Sequence, residues 1–343
     1  VRQGATVVFV EHYPEDVPGY ASLEQNRKQL FALLEQLPGE KSFQGTQAFN
    51  FGKGRIIVGS DYHETLERTG VPAEELKTRW GVQFIRRTHT EGHHYFISNL
   101  QANDVEGWVT LNVPEKHIMC FDPMTGKRGI AKTREVEGKT QVYMQLKSGE
   151  SVILQTFTRS LQGEPEWKYR KEMDYSLSLD HGWKLRFVES YPAIEGEFKI
   201  DTPSSWIEVA HPAAKINRGT ALYSLELDLP ELSADDWILD LGDVRESARV
   251  RINEQEAGVA WAAPFRLSIG QLLKPGKNLI EVEVTNLPAN SIAEMDRQGK
   301  QWRIFEDINM AKLNYEKGTY GHWETLPSGL NGIVRLIPVK YLF

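Results

Sequence analysis

The stretch from Gln301 to Trp323 (QWRIFEDINMAKLNYEKGTYGHW) gathers side chains that could bind a sugar. Aromatic ring faces cover the apolar C–H face of a pyranose, and carboxylates accept hydrogen bonds from its hydroxyl groups. The stretch therefore predicts a carbohydrate-binding site formed by Trp302, Glu306, Asp307, Tyr320, His322 and Trp323. The alternative is a loop that folds over its own domain or against a catalytic domain outside this chain, and the sequence leaves both open.

Other residues with catalytic chemistry are poorly placed. Cys120 lies inside a predicted strand (HIMCFDP), whereas a cysteine nucleophile needs a sharp strand-to-helix turn and a His–Glu partner set. His93 and His94 are neighbours in a predicted strand, so their side chains point to opposite faces and do not converge on a metal. Glycoside hydrolysis needs two carboxyl groups roughly 5–9.5 Å apart, which a sequence does not show. We predict no catalytic residue and no metal ligand in this chain.

Composition narrows the function classes. The chain has 343 residues, a formal net charge of −7 and no basic run, which argues against a nucleic-acid partner. No stretch approaches the ~20 apolar residues that span a bilayer, so we expect no membrane partner. Nine Trp and twelve Tyr suit sugar-binding surfaces, although Trp also fills β-sandwich cores. Because the chain opens at Val1 with neither an initiator Met nor a signal segment, we expect it to be part of a longer protein.

The period of the apolar residues changes along the chain. Strand and helix patterns alternate first, then six short alternating strands follow at a spacing of roughly 8–12 residues, and a polar, weakly patterned stretch precedes a second β-rich region. We predict a mainly β protein with a truncated α/β unit at 1–80, a small antiparallel β-sandwich at 81–157, a linker at 158–181 and a second β-rich domain at 182–343.

Within the α/β unit, the apolar run Ala5–Val10 is typical of a strand buried on both faces. Ser22 and Gln25 predict a capping box at the start of a helix. Gly52–Ser60 (GKGRIIVGS) predicts a second short strand between glycine turns.

The most specific motif runs from Ala248 to Asn286 and reads as a strand, a tight turn, a Gly-x-x-Trp bend and a Lys-Pro-Gly-Lys-Asn turn. It resembles the sugar-binding-type jelly roll of glycoside hydrolase family 2 and the wider galactose-binding-like fold. The matching residues are Val250, Ile252, Asn253, Gly258, Trp261, Pro264, Phe265, Leu273, Lys274, Gly276 and Asn278. Glu254 stands where that family usually has Gly. GWKLRF (182–187) and SSWIEV (204–209) look like the first strands of such a domain.

A longer resemblance covers nearly the whole chain. RRTHTEGHHYFISN (86–99), FDPMTGKRG (121–129), QVYMQLKSGESVILQT (141–156) and WETLPSGLNGIVRL (323–336) occur in an order similar to the C-terminal half of glycoside hydrolase family 106, the α-L-rhamnosidases. The resemblance implies a catalytic barrel with acid and base carboxylates and calcium-assisted sugar binding ahead of these segments. It also implies that the α/β unit at 1–80 is amidotransferase-like, and the family 2 resemblance implies a galactose-binding-like jelly-roll sandwich at 182–343. None of its catalytic positions matches a residue here.

Together these features predict the C-terminal accessory region of a bacterial α-L-rhamnosidase that acts on rhamnose-containing polysaccharides in the periplasm or outside the cell. The predicted partners are a glycan and the catalytic barrel, with no cofactor in this chain and calcium in the parent enzyme. Two alternatives stay open: a stand-alone carbohydrate-binding module, and a scaffold that touches no glycan.

Overall fold

The structure is a computed structural model that describes residues 1–37, 45–71, 73–231, 233–304 and 318–343. Strands dominate these residues, so the predicted mainly β class is confirmed. Contacts divide the chain into two compact units: residues 1–81 with 109–114 and 134–142 form one, and the remaining residues form the other. The predicted boundaries at 80 and 157 stay predictions.

Six elements form the start of the chain: β1 (Thr6–Val10), α1 (Leu23–Leu34), β2 (Gln47–Phe51), β3 (Gly54–Gly59), α2 (Tyr62–Glu67) and α3 (Glu75–Thr78). α1 connects β1 to the rest of this sheet, in which β1 pairs in parallel with β3. β2 pairs antiparallel with the other edge of β3, and this strand was not predicted from the sequence. The predicted capping box is wrong, because Ser22 adopts a left-handed conformation and its side chain makes no cap hydrogen bond. The buried centre of this sheet is small: Tyr13, Ile56 and Val58.

The middle region contains β4 (Gln83–His89), β5 (Gly92–Ser98), β6 (Val105–Leu111), β7 (His117–Phe121), β8 (Arg128–Ile130), β9 (Thr133–Val136), β10 (Lys139–Leu146) and β11 (Ser151–Phe157). All six predicted strands are present among them. A five-stranded sheet has the order β4-β5-β11-β7-β8, and a three-stranded sheet has the order β6-β10-β9. β11 pairs antiparallel with both of its neighbours.

The last region begins with β12 (Tyr169–Glu172), β13 (Leu177–Ser178), β14 (Trp183–Tyr191), β15 (Glu197–Ile200), β16 (Arg218–Leu229), β17 (Asp236–Asp240) and β18 (Val244–Arg245). It continues with β19 (Ser247–Ile252), β20 (Gln255–Ala260), β21 (Arg266–Ser268), β22 (Gly276–Thr285), α4 (Ala289–Arg297), β23 (Gly329–Leu330) and β24 (Arg335–Leu342). A six-stranded sheet, β15-β14-β16-β22-β19-β20, and a second sheet, β12-β24-β17-β21 with β13 on β24, supply one shared core.

Alternation along these strands sends every second side chain into that core. Val250, Ile252, Ile280 and Val282 have no exposed surface and Leu267 is 4% exposed, so their predicted inward orientation is confirmed. Phe265 is half-buried and packs against the same core. Trp183 and Trp206 are buried within it, whereas Trp261 is 60% exposed and contributes little to the core.

Two predictions about secondary structure in this region are wrong. SSWIEV is not a first strand, because Trp206–Glu208 forms a short 3-10 helix that places the Trp206 ring in the core. The stretch 158–181 is not simply a linker, because β12 and β13 both pair with β24 and Leu179 joins the core. Its partner strand lies more than 150 residues away, so no local pattern marks the pairing.

The Asn residues of the motif in Ala248–Asn286 hold two turns together. Asn253 donates from Nδ2 to Asn278 Oδ1 (2.9 Å), and its own Oδ1 accepts from the Leu279 amide (3.0 Å). Asn253 and Glu254 connect β19 to β20 and have φ of 51° and 69°. Positive φ at both central residues defines a turn that favours Asn-Gly, which explains why related domains use Gly where this chain has Glu254.

Candidate carbohydrate-binding site

The described part of the predicted loop forms a cluster of three aromatic rings around Asp296, near the end of α4. Asp296 Oδ1 accepts a hydrogen bond from Trp302 Nε1 (2.5 Å), and Oδ2 accepts one from the Tyr320 amide. The ring centroids of Trp302 and Tyr320 are 5.7 Å apart, and those of Tyr320 and Trp323 are 4.5 Å apart. The hydrogen bond from Trp302 lowers the pKa of Asp296, followed by the one from Tyr320, so this carboxylate is charged at neutral pH.

Arg303 covers part of this cluster. Its guanidinium carbon lies 5.1 Å from the Trp302 ring centroid and 5.2 Å from that of Tyr320, and it donates to the Gly318 carbonyl. Trp323 keeps 41% of its surface exposed. It is therefore the ring with the most surface available to a pyranose, while Trp302 and Tyr320 mainly support it.

The structure thus brings together three of the six predicted residues: Trp302, Tyr320 and Trp323. His322 is exposed next to them. Glu306 and Asp307 lie outside the described residues. Sequence reasoning missed Asp296 and Arg303. The sequence did offer one sign of Asp296: it lies only six residues before Trp302, close to the end of α4.

A second polar group lies on the sheet formed by β12, β24, β17 and β21. Arg266 on β21 binds Glu172 on β12 through Nη1 (3.0 Å) and Asp240 on β17 through Nη2 (2.7 Å). Lys147 Nζ binds both Glu172 Oε1 and Asp104 Oδ2 at 3.0 Å. Burial tends to raise the pKa of Glu172, but the hydrogen bonds and charges of Lys147 and Arg266 outweigh it and lower that pKa. Each charge in this group is met by an opposite charge, so we refer to it as the Arg266 ion cluster.

Cys120 is buried, and His93 and His94 each contact a neighbouring side chain. Burial raises the pKa of the Cys120 thiol to about 12, which leaves almost no thiolate at neutral pH. His93 Nδ1 contacts Glu115 Oε2 (3.2 Å), whereas His94 stacks on His89 with ring centroids 4.5 Å apart. The two neighbouring histidines thus face opposite ways, as strand alternation predicts. Within the described residues, no three His, Cys, Asp or Glu side chains are grouped to hold a metal ion.

Across the described ranges, no helix is long and apolar enough to cross a membrane.

Two β-sheets around one shared core define the last region as a β-sandwich. Comparison with known proteins relates the chain to glycoside hydrolases. Residues 1–133 match the model of glycoside hydrolase family 106, described as alpha-L-rhamnosidase, which confirms the resemblance found in the sequence.

Two relatives extend this comparison. A protein of Formosa agariphila, provisionally named a beta-glucuronidase, is 29% identical over 197 residues, which are 52% of this chain and 17% of that protein. The rhamnosidase of Novosphingobium sp. PP1Y has the same fold over 98% of this chain, with a TM-score of 0.70 and 24% identity. This chain covers 31% of that enzyme, so it spans less than a third of either relative.

Proposed function

We propose that this chain is the C-terminal accessory region of an α-L-rhamnosidase-type glycoside hydrolase that acts on rhamnose-containing polysaccharides. The match of residues 1–133 to the alpha-L-rhamnosidase family carries the proposal. In it, the catalytic barrel is encoded upstream of Val1, because none of the family's catalytic positions could be matched to a residue of this sequence. The parent enzyme works in the periplasm or outside the cell of a bacterium, and calcium belongs to the barrel.

Within that enzyme, the proposed role of the last sandwich is to contact the glycan through the exposed Trp323 ring. Its support is the cluster geometry: Asp296 and Arg303 hold Trp302 and Tyr320, and these leave Trp323 at the surface. The rival role is a scaffold, and the Arg266 ion cluster favours it, because that cluster joins the sheet of β12, β17 and β21 to Lys147 and Asp104 of the middle region.

Catalysis is tested by incubating the 343-residue chain with an aryl α-L-rhamnoside and following aryl release. We expect no turnover from this chain, and turnover from a longer product that includes the upstream coding sequence. Release by the shorter chain that disappears when one of its own carboxylates is replaced would contradict the assignment of catalysis to an upstream barrel.

Glycan contact is tested on an array of rhamnose-containing oligosaccharides. Trp323→Ala should weaken binding by about 1–3 kcal/mol, the range for the burial of a large apolar side chain, and leave the melting temperature nearly unchanged. Trp261→Ala is the matched control, because Trp261 is also an exposed Trp but lies outside the cluster. Equal binding by both variants and the unmodified chain would support the scaffold role instead.

A further inference from the structure

An open cleft of about 550 Å³ lies where the ends of β14, β16 and β22 meet. Its lining includes Glu189 and Tyr191 from β14, Arg218 from β16 and Thr285 from β22. No sequence motif points to these residues. The cleft belongs to the six-stranded sheet, whereas the Arg266 ion cluster belongs to the other sheet of the sandwich.

Two residues of opposite charge, Arg218 and Glu189, are among those that line this cleft. The Arg218 guanidinium carbon lies 4.5 Å from the centroid of the Tyr191 ring, which is itself 60% exposed. Among the residues that the structure describes, neither Arg218 nor Glu189 forms an ion pair. Both charged groups are therefore available to hydrogen-bond a ligand.

The backbone around the cleft is held in place by Asn286. Its Oδ1 accepts from the Gly219 amide (3.0 Å), and its Nδ2 donates to the Asn217 carbonyl (3.0 Å) and to Ser328 Oγ (3.1 Å). Gly219 has φ of 142°, and a Cβ there would lie 2.0 Å from the Glu189 carbonyl oxygen. These contacts fix the spacing of the strand ends that line the cleft.

We propose that this cleft binds a neutral pyranose residue of a glycan, with Tyr191, Arg218 and Glu189 as its contacts. An anionic ligand would pair with Arg218 but be repelled by Glu189. A cationic ligand would pair with Glu189 but be repelled by Arg218. Vicinal hydroxyl groups can accept from the guanidinium and donate to the carboxylate at the same time, which satisfies both charges. The Tyr191 ring, on the side away from Arg218, adds an apolar face for the C–H groups of the sugar.

The position of the cleft makes it a second contact for a chain held at the aromatic cluster. Pro288, the residue before α4, lines the cleft, and Asp296 of the cluster lies near the other end of this nine-residue helix. Nine residues of α-helix span about 13 Å, so an oligosaccharide could reach both ends. The inference rests on the proposed function only in taking a glycan as the ligand.

The test is an NMR titration of the 343-residue chain with methyl α-L-rhamnopyranoside and, separately, with D-galacturonate. We expect amide shifts around Tyr191 and Gly219 with the neutral sugar. Arg218→Met should weaken its binding at least about tenfold, because a hydrogen bond to a charged group is lost. Glu189→Gln should weaken the neutral sugar several-fold and strengthen D-galacturonate, because the repulsion of the carboxylate is removed; a purely structural change would weaken both.

The outcomes separate this inference from the proposed glycan contact at Trp323. If Trp323→Ala removes all binding of methyl α-L-rhamnopyranoside while Arg218→Met and Glu189→Gln do not change it, the cleft is not a sugar site and the aromatic cluster stands. Tighter binding of D-galacturonate than of the neutral sugar by the unmodified chain would also overturn the inference. If Arg218→Met lowers the melting temperature, Glu189→Gln still decides the test, because Glu189 is exposed and its replacement should not destabilise the fold.

Discussion

Replacing Arg266 with Met tests whether the ion cluster braces the sandwich. The substitution keeps much of the apolar stem but removes the guanidinium that bridges Glu172 and Asp240. The side chains of Arg266, Glu172 and Asp240 are 24%, 32% and 15% exposed. An exposed ion pair contributes about 0.2–1 kcal/mol to stability, and breaking a buried one costs about 3–5 kcal/mol. The cost of breaking this half-buried cluster should lie between these limits. We expect the free energy of unfolding to fall by about 2–3 kcal/mol.

The same cluster predicts a pH dependence. The pKa of Glu172 is lower in the folded than in the unfolded chain, because Lys147 and Arg266 outweigh the effect of burial. A carboxyl with a lowered folded pKa contributes stability above its unfolded pKa and loses it as pH falls through the folded pKa. The difference in stability between the unmodified chain and Arg266→Met should therefore be largest near neutral pH and shrink below about pH 4, the region of an unperturbed Glu.

Urea unfolding of Arg266→Met, Glu172→Gln and the double variant, each at neutral and at acidic pH, measures both effects. Because the two side chains contact each other, the double variant should lose about 0.5–2 kcal/mol less than the sum of the single variants. Strict additivity, or a loss below about 1 kcal/mol for Arg266→Met, would show that this cluster does not brace the domain.

Three further outcomes follow from the local geometry. Glu254→Gly should stabilise the chain by about 1 kcal/mol in urea unfolding, because Glu254 has φ of 69° in a two-residue turn, and a destabilised variant would contradict that reason. Trp183→Ala should cost about 3–5 kcal/mol because the ring is 1% exposed, whereas Trp261→Ala should cost under about 1 kcal/mol; similar losses would contradict the difference in burial. Cys120, with its pKa raised to about 12, should react with a thiol reagent at pH 8 only after unfolding, and rapid labelling of the folded chain would contradict its burial.

Most strands of the sandwiches could be predicted because the residues within each strand and its flanking turns are enough to indicate it. In β19 and β22, alternating residues such as Val250 and Val282 carry the apolar face, and the turns between strands are marked by Gly and Asn. β12 and β13 were missed because they are only four and two residues long, and because they pair with β24, which lies more than 150 residues further along the chain. Trp206 illustrates the same limit, since tertiary packing and not local pattern places its ring in the core through a 3-10 helix.

The candidate site was partly predictable for a related reason. Trp302, Tyr320 and Trp323 stand out by residue type, and the structure does bring them together. What holds them, Asp296 and Arg303, does not stand out, because isolated charged residues in a polar stretch are usually solvated. The cleft was beyond sequence reasoning altogether, since Arg218 meets Tyr191 only when β14 and β16 pair.

The two proposed roles of this region, brace and binder, place opposite demands on charged side chains, and the side chains that we propose for them lie on different sheets of the sandwich. A brace must satisfy its charges within the protein, as Arg266 does between Glu172 and Asp240 on the sheet of β12, β17 and β21. A binding surface must leave polar groups free, as Arg218 does on the six-stranded sheet, from which α4 leads to the aromatic cluster. The two proposed roles therefore use different side chains of one β-sandwich, so evidence that Arg266 stabilises the sandwich would not by itself count against glycan binding at the cleft.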